Sequence, residues 1–126
     1  MKNQTDSLLS ILSFNVLYGG SYLGQPLNQT AKVIETAGAD VAVLCEHMGS
    51  AQPLADQLSM YYHEVTAPPY RDSVAVLSRF PVIETFDHGV RLALTEDETA
   101  CVFGVHLSSS PYQPYQVRDG GFSRVE

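Results

Sequence analysis

Apolar residues in this chain fall in short runs separated by polar or glycine-containing breaks. Ile11-Leu12-Ser13-Phe14-Asn15, Val41-Ala42-Val43-Leu44-Cys45-Glu46, Ser73-Val74-Ala75-Val76-Leu77-Ser78 and the stretch from Thr99 to Leu107 are rich in β-branched and aromatic residues. Runs of that length and composition predict strands. Tyr61 to Val65 and Val90 to Leu94 read the same way, and Val82 to Phe86 alternates apolar and polar as a half-buried strand does. Between the first two runs, Tyr18 to Pro26 is a loop by its glycines and proline. The pattern then turns helical from Asn28, a good N-cap. Ala31, Val33, Ile34 and Ala37 share one face, and Gly38 is a stop. A second short helix opens at Gly49-Ser50 and runs to about Ser59. The order is β-loop-α-β, then mostly strands, which predicts an α/β (α+β) chain.

Composition bounds this reading. The 126 residues amount to one domain at most, and 44% hydrophobic content with a mean hydropathy of -0.04 fits an ordinary folded protein. No apolar stretch approaches the roughly 18 residues of a membrane span. The polar start Met1 to Ser7 shows no secretory signal, making a cytoplasmic location the default expectation. A net charge of -7 with seven unclustered Lys and Arg leaves no strong nucleic-acid footprint. Cys45 and Cys101 sit inside apolar runs and are expected to be buried free thiols. The tail 108–126 is Ser-, Pro- and Tyr-rich and reads as a loop.

The chemistry lies where the apolar runs stop. Three end on Asn15, Glu46 and His106. In open α/β sheets, ligands gather at the carboxyl ends of strands. An amide, a carboxylate and an imidazole at one such edge suit a hard cation and a phosphoester. One Glu with an Asn nearby is sensible for Mg²⁺ or Mn²⁺ and poor for zinc. Taken singly, each has an ordinary reading: Asn15 forms a turn beside Gly19-Gly20, Glu46 is the first exposed residue beyond its strand, and His106 packs. His47 is the weaker of two neighbours, since the next residue along a strand faces the opposite side. His63 and His88 are assigned no role, and no nucleophile elbow, Walker loop or dinucleotide fingerprint is present.

Four segments together resemble the endonuclease/exonuclease/phosphatase superfamily, the DNase I-like metal-dependent phosphodiesterases. They are Leu12-Ser13-Phe14-Asn15-Val16, Ala39-Asp40-Val41-Ala42-Val43-Leu44-Cys45-Glu46, Val74-Ala75-Val76-Leu77-Ser78-Arg79-Phe80-Pro81 and Phe103-Gly104-Val105-His106-Leu107. Pro111-Tyr112-Gln113-Pro114-Tyr115 is similar to a loop of bacterial members. The resemblance implies a β-sandwich flanked by helices, here as an incomplete amino-terminal half spanning 1–126. It matches Asn15 and Glu46 to the family's metal-site residues, His106 to its active-site histidine and Arg79 to a structural position. Cys45 stands where the family usually has Gln. The family's later Gly-Asp-x-Asn and Asp-His segments do not occur between His106 and Glu126.

The expected function is therefore metal-dependent hydrolysis of a phosphoester, with Glu46 holding Mg²⁺ or Mn²⁺, Asn15 orienting ligand or phosphate, and His106 stabilising charge on phosphate. This chain alone is expected to be weak or inactive. The rivals are a non-catalytic half-domain that self-associates or binds a partner through an exposed sheet edge, and a nucleic-acid binder, which the missing basic stripe disfavours.

Overall fold

The computed structural model describes residues 8–24, 26–65 and 73–107. The predicted loop over 108–126, the Pro68-Pro69 break and the polar residues 1–7 lie outside them. Among the described residues, seven strands and two α-helices follow one another as β1 (Ile11–Asn15), α1 (Pro26–Ala37), β2 (Val41–Cys45), α2 (Ala51–Leu58), β3 (Tyr61–Glu64), β4 (Val74–Ser78), β5 (Val82–Phe86), β6 (Gly89–Ala93) and β7 (Thr99–Phe103).

The strands form two sheets, ordered β1-β2-β4-β3 and β5-β6-β7. In the first sheet β1 and β2 are parallel, joined through α1, and β4 runs antiparallel to both β2 and β3. The second sheet is an antiparallel meander. One face of the first sheet packs on the helices, through Ala42, Leu44, Ala75 and Leu77 against Ala31, Ile34, Leu54 and Ala55. Its other face packs on the second sheet, through Val41, Val43, Cys45, Val74 and Val76 against Val90, Leu92 and Val102. The result is helices, sheet, sheet in three layers.

β2 and β4 are buried along their whole length because both of their faces are covered. A doubly covered strand needs an unbroken apolar run, and Val-Ala-Val-Leu occurs in both. Each fully buried side chain such as Leu44 or Leu77 contributes roughly 1.5–3 kcal/mol by leaving water. Among the described strands β1 pairs with β2 alone, and its sandwich-side residue Ile11 is 54% exposed.

Several boundaries differ from the sequence reading. α1 begins at Pro26 rather than Asn28, since proline at a first helical position gives up only an N–H with no partner in the helix. Gly38 ends the helix with φ +62°, the left-handed stop expected of it. Tyr18–Leu23 is a 3₁₀ turn rather than an open loop. β7 ends at Phe103, four residues short of Leu107, because Gly104 leaves the second sheet. Cys101 is exposed rather than buried, as it lies on the outer face of β7; Cys45 is buried, and both are free thiols.

Candidate functional site

Asn15 is the last residue of β1, and Glu46 directly follows β2. Because β1 and β2 are parallel and pair Asn15 with Cys45, both residues reach the same carboxyl edge of the first sheet. His106 comes from the second sheet. After β7 the chain crosses at Gly104, whose N–H donates to the His88 carbonyl at 2.8 Å. A Cβ there would stand 2.8 Å from Cγ1 of both Val43 and Val74, so only glycine lets the backbone pass this close to the first sheet. Two residues later the chain delivers His106 to Glu46.

The three side chains meet. Asn15 Nδ2 donates to Glu46 Oε1 at 3.1 Å, and His106 Nε2 lies 3.6 Å from the same oxygen. The Asn15 amide is oriented unambiguously, since its Oδ1 accepts from the Leu17 N–H at 2.9 Å. Tyr18 N–H points to Glu46 Oε2 at 3.4 Å. The His106 and Glu46 side chains keep 22% and 18% exposure, so the cluster is recessed yet open to solvent. A carboxylate accepts at about four lone-pair sites, and these contacts leave capacity for a ligand.

The backbone around Glu46 is unusual. Among the described residues, five non-glycine residues have positive φ, and four of them, Leu17, Tyr18, Glu46 and Met48, lie in the two turns that form this rim. Such conformations cost of order 1 kcal/mol or more each and persist where surrounding contacts impose them. Here Gly19 N–H donates to the Glu46 carbonyl at 2.8 Å, tying one turn to the other. His47, which follows Glu46, is only 2% exposed. Burial lowers its imidazole below the ordinary histidine range, with the charge of Glu64 pulling the other way.

Sequence reasoning named Asn15, Glu46 and His106 and passed over the parts that aim them. These are the left-handed run from Leu17 to Gly20 and the crossing glycine Gly104, while His47, rated the weaker neighbour of Glu46, is buried. The Gly19-Gly20 pair and the glycine two before His106 were the visible signals. Among the described residues, no group of three or more His, Cys, Asp or Glu side chains gathers as a cation cage. Glu46 brings the one carboxylate of the cluster, a hard oxygen donor of the kind that could hold a hard cation. Mg²⁺ usually keeps several waters and is held through one or two carboxylates plus substrate phosphate oxygens.

No curated protein matches the chain. Among solved structures, ANGEL2, described as a 2',3'-cyclic phosphatase in complex with adenosine-2',3'-vanadate, superimposes with a TM-score of 0.57 at 18% identity. The match covers 82% of this chain and 42% of the ANGEL2 chain, so the likeness is one of fold, over less than half of that protein. The two-sheet, helix-flanked arrangement is thus a partial DNase I-like fold. The family model for the endonuclease/exonuclease/phosphatase family matches residues 12–124, from the first strand through the site histidine and beyond. With that match over nearly its whole length, this chain belongs to the endonuclease/exonuclease/phosphatase family.

Proposed function

We propose that the chain carries part of the active site of a metal-dependent phosphoesterase, with Glu46 as the cation ligand. The observation that carries this reading is the convergence of Asn15 Nδ2 and His106 Nε2 on a single carboxylate oxygen, Glu46 Oε1, at 3.1 and 3.6 Å. A bound Mg²⁺ or Mn²⁺ supplies Lewis-acid polarisation of a phosphoryl oxygen and neutralises its developing charge. Asn15 presents its nitrogen to Glu46, so its part is to fix the carboxylate rather than to ligate. Leu17 and Tyr18 N–H groups hold the pair from behind. His106 Nε2 stands beside the carboxylate where it can donate a proton to a phosphate oxygen, strengthening as charge builds on the phosphoryl group. Hydrolysis would join a water oxygen to phosphorus as the P–O bond to the leaving group breaks, with a water proton passing to the leaving oxygen.

These three groups bind and stabilise charge, and none of them is assigned to activating the water. Groups that act as a unit lose most of the rate together, so these three acting without a base for the water are expected to turn over slowly. The test is Mn²⁺ titration followed by electron paramagnetic resonance, with hydrolysis of bis(p-nitrophenyl) phosphate and of a nucleoside 2',3'-cyclic phosphate alongside. Wild type is expected to bind the ion, and Glu46→Gln to lose that binding. Equal affinities in the two proteins would end the assignment.

A second reading has an observation of its own. Ile11, Phe103, Val105 and Leu107 are 54–62% exposed on or beside the sheet-edge strands β1 and β7. Exposed apolar residues next to unpaired strand edges favour self-association. Light scattering coupled to gel filtration distinguishes the two: a monomer at high concentration rules out association.

A further inference from the structure

We propose that His47 is a positioning residue, whose buried imidazole pins the turn that aims Glu46 at the site. Its link to the cation rests on the phosphoesterase reading; its action on the turn does not.

Three of the five residues in the turn over 46–50 have left-handed backbone. Glu46, Met48 and Gly49 have φ of +54°, +51° and +83°. A peptide of this kind keeps one shape only if its N–H groups are held. Met48 N–H donates to Ser73 Oγ at 3.1 Å, Gly49 N–H to His47 Nδ1 at 3.2 Å, and Ser50 N–H to the His47 carbonyl at 3.0 Å. His47 therefore supplies two of these three acceptors, one from its ring and one from its backbone.

The same residue braces the facing turn. A Cβ on Gly19 would stand 3.1 Å from the His47 carbonyl oxygen and 3.3 Å from Met48 Cβ, so Gly19 lies directly against this peptide. Gly19 in turn donates its N–H to the Glu46 carbonyl. The chain of contacts runs from the His47 ring to Gly49, through the His47 backbone to Gly19, and from Gly19 to the residue that bears the carboxylate.

The two ring nitrogens are unequal. Nδ1 accepts from Gly49, which makes Nε2 the protonated position in the neutral ring. Nε2 is buried and has no partner among the described residues. The acceptor at Nδ1 is thus the useful atom, and Nε2 is dispensable. Asn supplies a comparable acceptor, since its side-chain oxygen bonds the backbone N–H two residues on. Gln places its polar group near the Nε2 position instead and loses the short reach.

The experiment compares wild type with His47→Asn, His47→Gln and His47→Leu, each as the full chain. Amide exchange of Gly19 and Gly49 is read without metal, with β2 and β4 amides reporting global folding. Mn²⁺ affinity is read separately. His47→Asn is expected to keep wild-type protection at both glycines and Mn²⁺ affinity within about twofold. His47→Gln and His47→Leu are expected to lose that protection and bind Mn²⁺ at least 10-fold more weakly, the scale typical of residues that orient a ligand. Unchanged Gly19 and Gly49 exchange in His47→Gln overturns the proposal, as does a His47→Asn protein no better than His47→Gln. If His47→Leu fails to fold, the Asn and Gln variants alone decide. If wild type binds no Mn²⁺, the phosphoesterase reading falls, and the exchange data still decide the role of His47.

Discussion

The two ends of the first sheet each hold an acid beside a small polar side chain from the neighbouring strand, with opposite outcomes. At the amino end, Asp40 faces Ser10. Ser10 N–H donates to Asp40 Oδ2 at 3.0 Å, and the Ser10 hydroxyl lies 2.9 Å from that oxygen. Asp40 N–H reaches back to Ser10 Oγ at 3.0 Å, and the Asp40 carbonyl accepts from Arg79 N–H at 2.9 Å. The Ser10 N–H, then the Ser10 hydroxyl, and to a smaller extent the charge of Arg79 lower the Asp40 carboxyl below its ordinary value, against a small opposing effect of burial. At the carboxyl end, Glu46 sits on left-handed backbone, is approached by an amide, an imidazole and one long N–H contact, and faces solvent. Asp40 ties off a strand entry with its own chain. Glu46 is held in place with accepting capacity to spare. What makes a carboxylate a site is where its neighbours come from and how much of its accepting capacity they leave.

The comparison breaks most sharply on paired charge removals. Glu46→Gln is expected to weaken Mn²⁺ binding by more than roughly 100-fold, since it removes the proposed ligand itself and loss of an outer partner alone already costs about 10–100-fold. The same variant should move the urea midpoint little, because a Gln side-chain oxygen can still accept from Asn15 Nδ2. Substituting the crossing glycine attacks delivery rather than charge. Gly104→Val must displace Val43 or Val74, and should destabilise by about 2 kcal/mol through overpacking. It should also move the His106 imidazole resonances, which a change confined to the core would not do.

Asp40→Asn is expected to do the reverse of Glu46→Gln, costing about 1 kcal/mol of stability as charge-assisted hydrogen bonds weaken. Its Mn²⁺ affinity should match wild type. The smallest effect is in the acid limb. The Asp40 carboxyl titrates below 3.8 in the folded chain and near 3.8 in the unfolded one. The unfolded state therefore binds more protons in this window. The stability Asp40 contributes is complete above about pH 3.8 and drains away as pH falls through the folded value. Urea midpoints at about pH 5 and pH 3 should fall further in wild type than in Ser10→Ala, which lacks the hydroxyl contact. Equal falls would show that the hydroxyl leaves this titration untouched.

Much of this molecule was legible from residue order. Ile11-Leu12-Ser13-Phe14-Asn15 and Val41-Ala42-Val43-Leu44-Cys45 announce strands because β-branched and aromatic side chains suit a pleated surface, and Gly38 announces the end of a helix because it adopts positive φ cheaply. The β-α-β order implies parallel neighbours, and parallel neighbours carry Asn15 and Glu46 to one edge. All of these are short-range properties, set by propensity and periodicity within a few residues.

Other features depend on what arrives from far along the chain. That β7 stops at Phe103 follows from Gly104 meeting Val43 and Val74, residues of two other strands. That Glu46 leaves its strand for left-handed backbone follows from Gly19, held by a turn on β1. That His47 is buried while Glu46 faces out follows from that same bend, which no local pattern encodes. Side-chain chemistry and chain order by themselves name an amide, an acid and an imidazole at strand ends. Only the packing of one sheet on the other brings the imidazole to the acid, because that distance is set by contacts between segments about 60 residues apart, whose positions no short-range preference determines.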